Sequence, residues 1–128
     1  GAGLMAACDI AIATMDTSIG FPEVHRGLVA GLIMTFLRRQ LHERHARELL
    51  LLGEIIDAER AKEIGLVTRV VPSEMLDEVL ESHLQQVLKA PPGAIRDTKA
   101  LLDALWHHPL EADLDAAFVE KRQPNWIP

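Results

Sequence analysis

GAGLMAACDIAIATMDTSIGFPEVHRGLVAG, residues 1–31, is the stretch on which the reading of this chain turns. Gly1 and Gly3 flank a turn that opens directly into a run of small and apolar residues, 4–8. A glycine turn at a helix start leaves backbone N–H groups pointing outward, where they can hold an anion or a developing oxyanion. Residues 9–13 alternate as a short strand does, with Ile10 and Ile12 on one side. Residues 14–20 read as a turn. The next loop presents one carboxylate, Glu23, between Phe21-Pro22 and Val24. A carboxylate in an apolar loop is a candidate general acid/base. On the residues alone, a solvated loop glutamate competes with that reading. The pairing of outward N–H groups with a carboxylate suits chemistry on an activated carbonyl compound.

Working outward, Gly27 and Gly31 mark a second turn that feeds a helix through Leu32, Ile33, Phe36 and Leu37. Arg38 and Arg39 near its end complement the helix dipole. Residues 42–52 predict a helix ending at Gly53, and Asp57 is placed to cap a helix over 58–64 that ends at Gly65. Residues 66–71 have a strand's composition, and Pro72 ends it. Ser73 is placed to cap a longer helix. Its apolar residues Met75, Leu76, Val79, Leu80, Leu84, Val87 and Leu88 recur at helical spacing, which suits a core or a subunit interface. The run 90–93 breaks that helix. Residues 95–106 and 110–122 predict two more. The chain is thus α-rich with one or two short strands, and it divides into a region 1–72 that holds the glycine turn and acid/base loop and a helical region 73–128.

With 128 residues, the chain is long enough for one small domain that buries roughly two-thirds of its extended surface. Its 48% hydrophobic and 25% charged residues are globular proportions and exclude a disordered chain. A net charge of −6 argues against nucleic acid as a partner. No apolar run approaches the ~18 residues a membrane span needs, so no membrane partner is expected. The single cysteine, Cys8, lies in an apolar run and reads as a buried thiol in a reducing compartment. His42 and His45 are three apart, not four as in HExxH, so this pair reads as a solvated helix start rather than a metal site. His107-His108 before Pro109 reads as a loop.

The GAG turn, LMAACDIAIA (4–13), FPE (21–23) and GLVAG (27–31) together resemble the crotonase superfamily, the enoyl-CoA hydratase/isomerase group. Two further stretches agree in order: ARELLLLGEIIDAERAKEIGLVTRVVP (46–72) and AFVEKRQPNW (117–126) are similar to the family's later segments. The resemblance implies an α/β crotonase fold, of which this chain is the C-terminal, α-rich portion, since family members are about twice as long. It implies an acyl-CoA enzyme that adds water to a 2-enoyl-CoA thioester through an enolate held by two backbone N–H groups. Glu23 then falls on the family's acid/base and Gly1 on its oxyanion loop, where a plain turn glycine is the competing reading. Gly3, Phe21 and Pro22 fall on the substrate side. Lys121 falls near the coenzyme A phosphates, where a solvated helix lysine competes. No cofactor or metal is implied beyond the substrate's own coenzyme A. A cytoplasmic homotrimer or hexamer is the expected assembly.

The sequence departs from the family at two places. Gly3 occupies the position where two-glutamate hydratases carry their first glutamate. A glycine here is found in hydratases of branched glutaconyl-CoA esters, and it leaves Glu23 alone for both proton steps. An extra helical stretch before the FVEKR end is also shortened. Alternatives are an enoyl-CoA isomerase, which needs one proton shuttle, and a non-catalytic crotonase-like subunit or fragment.

Overall fold

A glycine cap and small side chains make the first helix. The computed structural model of the chain describes residues 1–107. Gly1 caps α1, Ala2–Ala6, and its carbonyl accepts a hydrogen bond from the Met5 N–H at 3.0 Å. The helix stops there, and Ala6 is its buried residue. Cys8 therefore lies in the turn beyond the helix, where it is exposed, with Sγ 3.5 Å from the Leu4 carbonyl. The expectation of a buried thiol is overturned because the helix ends two residues before the cysteine.

The chain divides into two units, Gly1–Ser82 and His83–Pro128. In the first, β1 (Ile12–Thr14) pairs in parallel with β4 (Arg69–Val71), with Ala13 opposite Val70. This strand begins three residues later than its alternation suggests. Ile10 is left exposed, because pairing starts only where Ala11 and Thr68 exchange hydrogen bonds: the Ala11 N–H donates to Thr68 Oγ1 and the Thr68 N–H to the Ala11 carbonyl. The segment expected as a turn contains a second strand, β2 (Ser18–Gly20). It pairs antiparallel with β3 (Ile55–Asp57), which sits between Gly53 and the Asp57 cap. Both are three residues long, too short for periodicity to reveal.

Three helices surround these strands. In α2 (Gly31–Gln40) Leu37 is fully buried, and Gln40 Nε2 donates to the Ala6 carbonyl at 3.1 Å, tying α2 to the end of α1. The next helix, α3 (Glu43–Leu52), ends at Gly53 with φ 62°, the left-handed stop that the sequence suggests. As expected, Asp57 caps α4 (Ala58–Glu63), its Oδ1 accepting from the Arg60 N–H at 2.8 Å. The core of this unit gathers Ala6, Ala13, Ile19, Phe21, Leu37, Leu41, Leu49, Ala61, Ile64, Leu66 and Val67. Ser73 does not cap a helix through its side chain. It starts a short 3₁₀ turn, Ser73–Met75, before α5 (Leu76–Leu88), and its hydroxyl bonds Asp16 instead.

Among the described residues, none of α5 is buried. The second unit contains α6, Pro92–His107, which starts at the second proline of the predicted break, a favoured first helical position. The helix expected over 110–122 lies outside the described residues. The described residues are helix-rich with few, short strands, as the sequence suggests.

Candidate active site

Glu23 is carried by a 3₁₀ turn, Pro22–Arg26. Phe21 enters it at φ −129° and ψ 78°, outside the α region that a following proline disfavours. Pro22, with its fixed φ and missing N–H, starts the turn without wasting a donor. Gly27 ends it in the left-handed region at φ 71°. The turn is closed by the Gly27 N–H donating to the Val24 carbonyl (3.2 Å) and the Leu28 N–H to the Glu23 carbonyl (2.9 Å).

Phe21 fixes the near end of this turn. It is 2% exposed and belongs to the main core. Burying a phenylalanine stabilises by about 1.5–3 kcal/mol, enough to hold a short loop in one place. Ala2 and Met5 of α1 pack against that same core, so the glycine-capped helix and the glutamate turn share one support. Val24, by contrast, is exposed and contributes little of the shelter that its apolar character suggests.

Glu23 Oε2 is buried and has no hydrogen-bond partner among the described residues. A buried acceptor left unmatched costs about 1–3 kcal/mol, and a charged one more. Such a group calls for a specific explanation, such as a catalytic role or a water or ion that completes it.

The other positions separate in character. Gly1 is exposed, and a Cβ built there meets nothing within 4 Å. Gly3 is half-buried and faces α2: a Cβ there would lie 3.1 Å from Ile33 Cγ1. Phe21, Pro22 and Glu23 are contiguous on the turn. Lys121 lies outside the described residues. Two residues that the sequence did not single out for this site are His25 and Gly53. His25 Nε2 lies 2.7 Å from the Leu52 carbonyl at the end of α3, and the ring rests against Gly53. The 27-residue separation of His25 and Leu52 gave no local signal.

This is a crotonase-fold chain. The crystal structure of an enoyl-CoA hydratase of Mycobacterium smegmatis aligns with it at a TM-score of 0.81 and 29% identity, covering 100% of this chain and 57% of that one. The sequence profile of the enoyl-CoA hydratase/isomerase family matches residues 1–117, and the chain belongs to that family. The short-chain-enoyl-CoA hydratase of Clostridioides difficile is 38% identical over 100 residues, which is 77% of this chain and 64% of that protein. The mitochondrial enoyl-CoA hydratase domain-containing protein 3 of Rattus norvegicus is 34% identical over 149 aligned positions, covering 98% of this chain and 48% of that protein. The chain spans about half the length of the curated relatives it matches.

Proposed function

We propose that this chain is the acid/base-bearing portion of an enzyme that adds water to a 2-enoyl-CoA thioester. The observation that carries the reading is the Oε2 of Glu23, buried and without a partner among the described residues, on a turn anchored by Phe21. Family membership supports an acyl-CoA thioester as the substrate class. In this mechanism the Glu23 carboxylate takes a proton from water as the water oxygen bonds to C3. The C2=C3 electrons move toward the thioester carbonyl and form an enolate. N–H donors of the glycine turn around Gly1 stabilise the enolate oxygen. Glu23 then returns the proton to C2 on the same face. One water is added, and nothing is oxidised or reduced. Gly3, Phe21 and Pro22 would border the acyl group, and Lys121 would meet the coenzyme A phosphates. Assembly as a homotrimer or hexamer in the cytoplasm belongs to the same reading.

A second reading is favoured by Gly3. The family position of a further carboxylate is here a glycine close-packed on Ile33, which leaves one proton shuttle. One shuttle suffices to move a double bond from C3=C4 to C2=C3. Glu23→Gln in the protein that carries this chain should lower turnover of crotonyl-CoA by about 10²–10⁴-fold, the range expected for losing a general acid/base. Unchanged turnover of crotonyl-CoA would sink the hydration reading, and unchanged conversion of a 3-enoyl-CoA by the same variant would sink the isomerisation reading. A 3-enoyl-CoA incubated in deuterated water separates them. Isomerisation converts it to 2-enoyl-CoA with no added oxygen, whereas a hydratase leaves it unchanged and adds water only to the 2-enoyl ester.

A further inference from the structure

We propose that His25 is a positioning residue for Glu23, fastening the glutamate turn to the C-terminal end of α3. The inference rests on the acyl-CoA reading above for its kinetic part and on geometry for its structural part. His25 lies two residues beyond Glu23 in the same 3₁₀ turn. Its Nε2 is 2.7 Å from the Leu52 carbonyl oxygen. That oxygen can only accept, so Nε2 carries the proton and donates.

Leu52 is the last residue of α3, and its carbonyl is one that no later helical N–H satisfies. A donor there meets both an open acceptor and the negative end of the helix dipole. The contact is close enough to demand a glycine next door. A Cβ on Gly53 would lie 2.5 Å from His25 Cδ2 and 2.7 Å from Nε2.

The turn is therefore held at two points, by Phe21 in the core and by His25 on α3. Glu23, with its unmatched oxygen, lies between them. Phe21 alone fixes one end and leaves the turn free to pivot. The hydrogen bond to Leu52 removes that freedom. A carboxylate displaced by about 1 Å from its working position can lose about a hundredfold in rate, so the fastening acts on the chemical step.

The test compares His25→Leu, which removes the donor at similar size, with His25→Gln, whose side-chain N–H sits the same number of bonds from the backbone. Both are made in the protein that carries this chain. Two readouts are taken: hydrogen exchange at the Gly27 and Leu28 amides, which close the turn, and kcat and KM for crotonyl-CoA. The expected result is faster exchange at both amides in His25→Leu, with kcat down by about tenfold to a hundredfold and KM within about twofold. His25→Gln should restore both. Parent-like exchange in His25→Leu, or a His25→Gln variant no better than His25→Leu, would overturn the proposal. A parent protein that turns over neither crotonyl-CoA nor a 3-enoyl-CoA would count against the acyl-CoA reading, and the exchange rates alone would then decide the positioning role.

Discussion

Gly53 meets two demands at once. It stops α3 with φ 62°, and it leaves room for the His25 ring. The first demand costs any other residue about 1–2 kcal/mol, because a Cβ crowds the following carbonyl in the left-handed region. The second would push His25 off the Leu52 carbonyl. Gly53→Ala should therefore destabilise the protein by more than the backbone cost and loosen the turn that carries Glu23. Urea denaturation of Gly53→Ala in the parent and in a His25→Leu background separates the two parts. The substitution should cost less where the imidazole is already gone, leaving the backbone share. Equal costs in both backgrounds would mean that Gly53 and His25 act independently. Gly3 illustrates a different limit. A Cβ there would lie 3.1 Å from Ile33 Cγ1, and no pattern of neighbours along the chain reports such a close approach.

Elements bounded by side-chain chemistry were the legible ones. Asp57 was readable as a cap because a carboxylate just before a helix can accept an orphan N–H, and its Oδ1 does so with Arg60 at 2.8 Å. Asp57→Ala should lower stability by about 1 kcal/mol, read as a shift of the urea midpoint at constant slope. Asp57→Asn should recover most of it, since asparagine also caps. An Asp57→Ala variant as stable as the parent would show that the neighbouring strand pairing, not the cap, ends β3. The same reasoning explains the misses. Strands β2 and β3 are three residues each, and what makes them strands is the pairing of Ile19 with Ile56 across 37 positions. Ser73 had the right residue type for a cap, but a partner 57 residues away competes for its hydroxyl. Local sequence records which partners a residue can take, and tertiary structure decides which it takes. Glu23 was legible as a candidate because its residue type and flanking Phe21-Pro22 are local. The fastening by His25 was not, because half of it is on α3.

At the scale of the whole first unit, Asp16 closes the longest connection. The parallel pair β1–β4 ends at Thr14 opposite Val71, and the Met15 N–H extends it by donating to the Val71 carbonyl at 2.9 Å. Just beyond, Thr14 Oγ1 donates to Asp16 Oδ1 at 2.6 Å, and Ser73 Oγ donates to the same oxygen at 3.3 Å. Since Thr14 spends its proton on Asp16, the 3.0 Å contact between Thr14 and Thr17 must be a donation from Thr17. One carboxylate thus gathers the ends of two segments that the chain separates by the whole of α2, α3 and α4. The hydrogen bonds from Thr14, from the backbone and from Ser73 hold the Asp16 carboxyl below its ordinary range, because they favour the charged form. A group whose pKa is lower folded than unfolded contributes stability that is present above the unfolded value. That contribution is lost as pH falls through the folded one. The parent should therefore be more stable than Asp16→Asn near about pH 6, and the difference should shrink as pH drops below the ordinary aspartate value of about 3.9. Paired urea midpoints for the two proteins across that range measure it, and other carboxylates cancel because both proteins carry them. A difference that stays constant with pH would mean that Asp16 acts by shape rather than by charge, and that the Ser73 hydroxyl holds the two segments together with either side chain.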